Sequence, residues 1–306
     1  MSFPPRNECF GGDNVQTVGE AQSLVTTRND VVAGFRWQAE EKARRANEFH
    51  AIALHFCGSA GGIQSVADIL SDNRLYQFAL GACALSAKGA RQLGADVCRQ
   101  IIEATVDLQR LTDAAYVAEL ERRYLLTCGD ALGGSMRNAI GQRAQNKLSD
   151  FVCNYLAEGQ IRARIERNAS GKITEISWRN RTLAFDRKPR FINKNIDFIL
   201  MDSPRFGATT LEQPQRLLAF GELKGGIDPA GADEHWKTAR AALDRVRHAY
   251  AERQLESPSL FFVGAAIEQS MAAEIFAQLT NDTLTAAANL HHQGQLAELT
   301  QILTDL

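Results

Sequence analysis

Three residues in the second half of the chain combine types and spacings that can do chemistry. Asp197 lies in NIDFILMD (195–202), and Glu222 and Lys224 lie in RLLAFGELKGG (216–226). Both stretches read as strands, the second mostly apolar as a central strand covered on both faces should be. Strand side chains alternate, so Glu222 and Lys224 share one face while Leu223 points into the opposite layer. If the two strands are neighbours, Asp197 and Glu222 can share one hard cation. Mg2+ is the natural choice, because it takes one or two carboxylates together with water and phosphate oxygens. A lysine beside that pair can hold an attacking water and offset the charge developing on a phosphoryl group. Together these are the components needed to hydrolyse a phosphodiester.

A Glu-x-Lys triplet by itself is a weak signal. Its setting strengthens it, because charged residues are disfavoured in an apolar strand unless they are paired or bind a ligand. Glycines at 221, 225 and 226 leave room for a ligand to approach the backbone closely. The plainer alternative is a Glu222–Lys224 ion pair at a strand end. Downstream, Asp228 precedes Pro229 in a loop, where it caps a helix start or accepts from a cytosine amino group. His235 stands in the first turn of the next helix, either as a structural residue or as a general base for the water. Lys237, Arg240, Arg245 and Arg247 follow on that helix and would meet backbone phosphate if it skirts a groove.

These residues need elements to position them. Residues 1–27 are mixed and Gly-rich and read as a loosely ordered arm. From about Asn29 the spacing is helical up to a break at 58–62, with further helices near 62–71, 73–86, 92–109 and 112–127, the last capped by Asp113. The Gly-rich run 129–138 reads as a turn feeding a helix over 134–157. Strands are predicted at about 172–178, 181–185, 195–202, 216–226 and 259–267, the first two joined as a hairpin through Arg179-Asn180. A helix over 231–253 and a helical tail, 268–305, complete the pattern. The expected division is a mainly helical subdomain over 1–130 and an α/β core over 131–306, with a mixed central sheet flanked by helices.

Composition limits the alternatives. The chain has 306 residues, 45% hydrophobic and 23% charged, which excludes collagen-like, coiled-coil and wholly disordered classes. No apolar run reaches the roughly 18–20 residues of a membrane span, and the start lacks a signal-peptide pattern, so a cytoplasmic protein is expected. Six cysteines without a CxxC pair argue against a zinc ribbon and fit reduced thiols. The net charge of −2 excludes a wholly basic coat, yet residues 137–190 hold twelve Lys/Arg against five Asp/Glu, an excess of seven. Either that stretch is a solvated face or it tracks phosphate, with Arg162 and Arg164 among the candidates. His50, His55, His291 and His292 read as ordinary helix or surface residues.

A strand Asp, about 25 residues, then a strand Glu-x-Lys and a helix resembles the PD-(D/E)XK nucleases, which include most type II restriction endonucleases. Ile196 stands where that family has its Pro. GGSMRNAIGQRAQNKL (133–148) is similar to the helix preceding the core strands in several restriction enzymes, with Gln142 and Gln145 where relatives carry an acid. GELKGGIDPAGADEHWKTA (221–239) looks like the segment after the catalytic Lys in the AvaI/BsoBI group, down to a His eleven residues beyond Lys224. The resemblance implies a PD-(D/E)XK nuclease-like α/β core beside the helical subdomain. It implies Mg2+ held by Asp197, Glu222 and the Leu223 backbone carbonyl, and catalysis by Lys224 and His235. With the local charge and position of the segments above, the expected DNA contacts are Arg137, Asn138, Arg162, Arg164, Asp228, Lys237 and Arg240. The resemblance further implies a homodimer in a prokaryotic cytoplasm that cuts double-stranded DNA at a short palindrome, of a degenerate CYCGRG type. The alternatives are a non-catalytic DNA-binding protein on a degenerate nuclease fold and a repair nuclease without sequence preference.

Overall fold

A computed structural model describes residues 18–306, so most of the predicted arm lies outside the described residues. The chain divides into two compact units, residues 36–138 and residues 1–35 with 139–306.

The first unit is helical. It contains most of α1 (Arg28–Ser59), then α2 (Val66–Ser71), α3 (Asn73–Ala82), α4 (Ala87–Leu93), α5 (Ala95–Thr105) and the first part of α6 (Ala114–Glu158). Ser65 and Asp68 form a reciprocal capping box at the start of α2, and Asp72 caps α3. Phe56, Phe78 and Tyr124 stack through its core. The helix predicted over 92–109 is broken in two, because Gly94 adopts φ +80 between α4 and α5. Asp113 accepts from the Ala115 N–H at 2.9 Å, as its expected capping role requires.

The Gly-rich turn expected at 129–138 is absent: α6 runs through it unbroken for 45 residues. Tyr116, Leu120 and Tyr124, then Ala144, Leu148, Val152 and Leu156, are buried at four-residue intervals on either side of the run. Packing of those faces outweighs the roughly 1 kcal/mol that each glycine costs a helix.

The second unit is built on one seven-stranded sheet in the order β1 to β7. The strands are β1 (Ala163–Arg167), β2 (Ile173–Trp178), β3 (Arg181–Arg187), β4 (Ile196–Met201), β5 (Leu217–Lys224), β6 (Ser259–Gly264) and β7 (Ala286–Asn289). Neighbours from β1 to β5 are antiparallel, and β5, β6 and β7 are parallel, so the sheet is mixed as expected. Trp178 pairs with Arg181, which leaves the predicted two-residue hairpin. Between strands come α7 (Ala208–Leu211), α8 (Ala232–Ala251), α9 (Gln269–Thr280) and, after β7, α10 (Gln293–Asp305).

Two strands escape the sequence reading. β1 carries charged residues and lies at the sheet edge, so its apolar alternation is faint. β7 is Ala-Ala-Ala-Asn, a composition that favours helix, yet all four residues are buried and the segment pairs with β6. The tail is therefore not wholly helical.

The sheet separates two cores. On one face Ile199, Phe220 and Phe262 pack with Trp236 and Leu243 of α8 and with Met271 of α9. On the other, Phe198, Leu200 and Phe261 meet Leu148 and Val152 of α6 and Leu299 of α10. Residues just before α1 are tied to this unit, contrary to the loose arm expected over 1–27. Leu24 is fully buried, Thr26 bonds the Ala265 carbonyl at 2.9 Å, and Asn289 donates to the Leu24 carbonyl at 2.8 Å. Among the described residues no helix is long and apolar enough to cross a membrane.

Candidate active site at the ends of β4 and β5

The antiparallel pairing of β4 and β5 sets Phe198 opposite Gly221. One step further Asp197 and Glu222 oppose each other, with side chains on the same face. Lys224 is two residues on and shares that face, which is the face of Phe220 and α8. Leu223 packs into the opposite core. The end of β5 is held between neighbours, since its pairing with β6 persists to Lys224 opposite Gly264 and the Lys224 carbonyl accepts from Ala265 at 2.8 Å.

The three side chains meet. Lys224 Nζ donates to Asp197 Oδ2 at 2.9 Å and to Glu222 Oε2 at 2.6 Å. Asp197 Oδ2 also accepts the Leu223 N–H at 2.7 Å. A strand residue turns its N–H and C=O toward the same neighbour, so the Leu223 carbonyl faces β4 as well. Exposure is graded: the Asp197 side chain is 27% exposed, Lys224 19% and Glu222 3%. The cluster therefore opens to solvent on the Asp197 side.

Burial, followed by repulsion from Asp197, pushes the Glu222 carboxyl up to about 7. Lys224 weighs against this shift, and so does Lys194. Burial works against the charge on Lys224, but the joint pull of Asp197 and Glu222 wins and raises its ammonium above the usual range. Glu222 Oε1 is buried without a hydrogen-bond partner. A buried, unsatisfied carboxylate oxygen beside a second carboxylate is a donor set suited to a hard divalent cation.

The other predicted residues are placed unevenly. His235 is exposed in the first turn of α8. Its ring lies over the loop that leaves β5, with Nε2 2.7 Å from where a Cβ on Gly226 would stand. It makes no hydrogen bond to the three central residues. Asp228 is exposed and accepts from Ala230 at 3.1 Å, the capping arrangement. Lys237 pairs with Asp233 at 2.6 Å, and Arg240 with Glu274 at 3.0 Å. Arg162 and Arg164 are exposed near the sheet edge, Arg164 paired with Glu166. Arg137 and Asn138 are exposed on α6, in the other unit.

The glycines do not leave room for a ligand. A Cβ on Gly221 would stand 1.9 Å from Phe198 Cζ, and one on Gly225 would stand 2.8 Å from the Ile140 carbonyl oxygen. Their space is filled by the protein's own atoms. Gln145 is buried and donates to the Ile173 carbonyl at 2.6 Å, and Gln142 bonds Asn146, so both are engaged away from the carboxylates. His291 is half-buried beside Asp30, 3.6 Å away, and is not a surface residue. Lys194, three residues before Asp197, was passed over in the sequence because a lone lysine ahead of a strand carries no signal.

With this geometry in place, comparison with known proteins is decisive. The profile of the family described as "Restriction endonuclease BsobI" matches residues 15–168 and 153–306. The chain belongs to this family. It is 37% identical over 299 residues to the type II restriction enzyme AvaI of Nostoc sp. (strain PCC 7120), covering 90% of this chain and 94% of the relative. It is 34% identical over 301 residues to the type II restriction enzyme BsoBI of Geobacillus stearothermophilus, covering 90% and 93%. The expected relationship to the AvaI/BsoBI group is therefore correct.

Proposed function

We propose that this chain is a type II restriction endonuclease with a PD-(D/E)XK-like core. It hydrolyses double-stranded DNA with Mg2+ at a short palindromic site. The observation that carries the reading is Asp197 facing Glu222 across β4 and β5, with the Lys224 ammonium within hydrogen-bond reach of both. Membership of a restriction endonuclease family along most of the chain supports it.

Asp197, Glu222 and the Leu223 carbonyl are the residues to hold the cation, and the unpartnered Glu222 Oε1 fits that task. When bound there, Mg2+ supplies polarisation of a phosphoryl oxygen and acidification of a water. Lys224 orients the water and offsets negative charge that grows only in the transition state. His235, exposed in the first turn of α8, accepts the proton from the water as general base. Arg137, Asn138, Arg162, Arg164, Lys237 and Arg240 contact the DNA, and the surface ion pairs of Arg164, Lys237 and Arg240 are weak enough to exchange for phosphate. Asp228 supplies an acceptor for a base edge beside its capping role. A two-fold palindrome calls for two copies of the site, hence a homodimer.

Incubating the purified protein with plasmid and Mg2+, then sequencing the cut ends, tests the reading, with CYCGRG-type sites examined first. Discrete fragments sharing one short palindrome are expected. A smear would indicate a nuclease without sequence preference, and intact plasmid with a gel shift a binding protein alone.

A further inference from the structure

The loop between β3 and β4 leads straight into Asp197, and it is basic. Its residues 188–194, KPRFINK, hold three cations and no acid. The loop is fastened at successive residues. The Arg190 N–H donates to Glu212 Oε2 at 3.0 Å, and the Pro189 carbonyl accepts the Asn193 N–H at 3.0 Å. Phe191 stands edge-on to the Tyr250 ring of α8, with centroids 5.9 Å apart, and Ile192 is buried in the core on the α8 face. Asn193 then adopts φ +53, a left-handed conformation that asparagine tolerates. The chain is therefore fixed just before Lys194, on the side of the sheet that carries Asp197, Glu222 and Lys224.

Lys194 is half-buried, and its charge pulls on the Glu222 carboxyl. Its ammonium is nevertheless uncommitted: among the described residues no carboxylate lies within ion-pair distance of it. Lys224, by contrast, is engaged by both carboxylates, at 2.9 Å and 2.6 Å. A phosphodiester entering the site brings negative charge toward Asp197 and Glu222. Its anionic oxygens need a cation that is not already bonded to those two groups.

We propose that Lys194 is a further substrate-binding residue of this site, its ammonium gripping a non-bridging oxygen of the phosphodiester that is cut. A compact, three-donor point charge suits a single phosphate oxygen approached from one side. The anchored loop sets the position of the backbone beforehand, so less freedom is lost when the phosphate arrives. The division of labour follows from the bonding: Lys224 is held by the carboxylates and serves the water, whereas Lys194 is free to serve the phosphate. The assignment rests on the nuclease reading, because it presumes a phosphodiester at the Asp197–Glu222 pair.

The test is equilibrium binding of the full-length protein to a duplex carrying the sequence read from the cut plasmid ends. Ca2+ replaces Mg2+, at a concentration where further ion no longer raises affinity. Over a salt series, each lost phosphate contact lowers the log–log slope by about one. Lys194→Gln should lower it by that amount and weaken binding on the order of tenfold, while Lys194→Arg should restore the wild-type slope. Circular dichroism checks that the fold is kept. Duplexes with a single neutral methylphosphonate, placed in turn at the cut linkage and at its neighbours, locate the contact. The Lys194→Gln penalty should vanish at the cut linkage and persist at the others, a pattern that a merely structural lysine would not give. A wild-type slope in folded Lys194→Gln, or a penalty that vanishes at another linkage, would overturn the proposal. Plasmid cleavage by the unmodified protein judges the nuclease reading separately, and an uncut plasmid would remove both.

Discussion

Glu222 holds its charge under strain, and the strain sets a pH signature. Its carboxyl titrates near 7 when folded, against an ordinary value of 4.5. The folded chain thus binds more protons than the unfolded chain between those values, so metal-free stability must fall as pH rises through that window. The full effect is roughly 3 kcal/mol. Glu222→Gln removes it. In EDTA, the variant's Tm relative to wild type should rise between pH 5 and pH 8, and a flat difference would show that Glu222 is ionised throughout. Roles at the site separate by kinetics. Asp197→Ala and Glu222→Ala should each lower cleavage by orders of magnitude, at about 1.4 kcal/mol per tenfold. Lys224→Ala should collapse kcat while sparing DNA binding in Ca2+, because its charge is needed in the transition state. His235→Ala should retain measurable activity, reduced about 10²–10⁴-fold with an altered pH–rate profile. An unchanged profile would make His235 structural.

Two elements make the site possible, the end of β5 and the long helix α6. Gly221 accepts the Phe198 ring, so Gly221→Ala forces a Cβ into an aromatic side chain. It should destabilise by about 1–3 kcal/mol, as overpacked cores do, and Phe198→Leu in the same chain should recover part of that loss. Gly133 is the opposite case. It is exposed, helical, and meets nothing within 4 Å of an added Cβ. Gly133→Ala should therefore stabilise by about 0.5–1 kcal/mol in urea denaturation. A loss of stability instead would mean that the glycine-rich run is a turn and α6 is not continuous there.

For the molecule as a whole, the question is how a chain of net charge −2 addresses a polyanion. Part of the basic excess over 137–190 is neutralised internally: Lys172 pairs with Asp186, Arg181 with Asp202, and Arg187 with Glu175. Of the remainder, Lys147 is half-buried, while others, including Arg162, are exposed. DNA binding should be steeply salt-dependent, and charge reversal at Arg162 and Arg164 together should flatten the log–log slope by one to two. Arg162 should contribute the larger share, because Arg164 is held by Glu166. An unchanged slope would place that edge of the sheet away from DNA.

The sequence by itself determined which side chains could meet, because strand alternation is a local property. Period two places Glu222 and Lys224 on one face, and the apolar runs around Asp197 and Glu222 mark both as strands. The hairpin through Arg179-Asn180 is equally local, and so is the capping of Asp113. What tertiary structure decided is everything that depends on distant partners. It put β4 beside β5 in the register that sets Asp197 against Glu222. It turned Ala286–Asn289 into a strand against its composition, because β6 offered an open edge and burial outweighed propensity. It carried α6 through Gly129, Gly133 and Gly134 because both ends of the helix are packed, and it filled the space at Gly221, Gly225 and Gly226 with Phe198, α6 and His235. It also raised the Glu222 carboxyl to about 7, since burial and a facing carboxylate exist only in the folded chain. Local periodicity is written along the chain, whereas desolvation and close packing arise only when distant segments exclude water together.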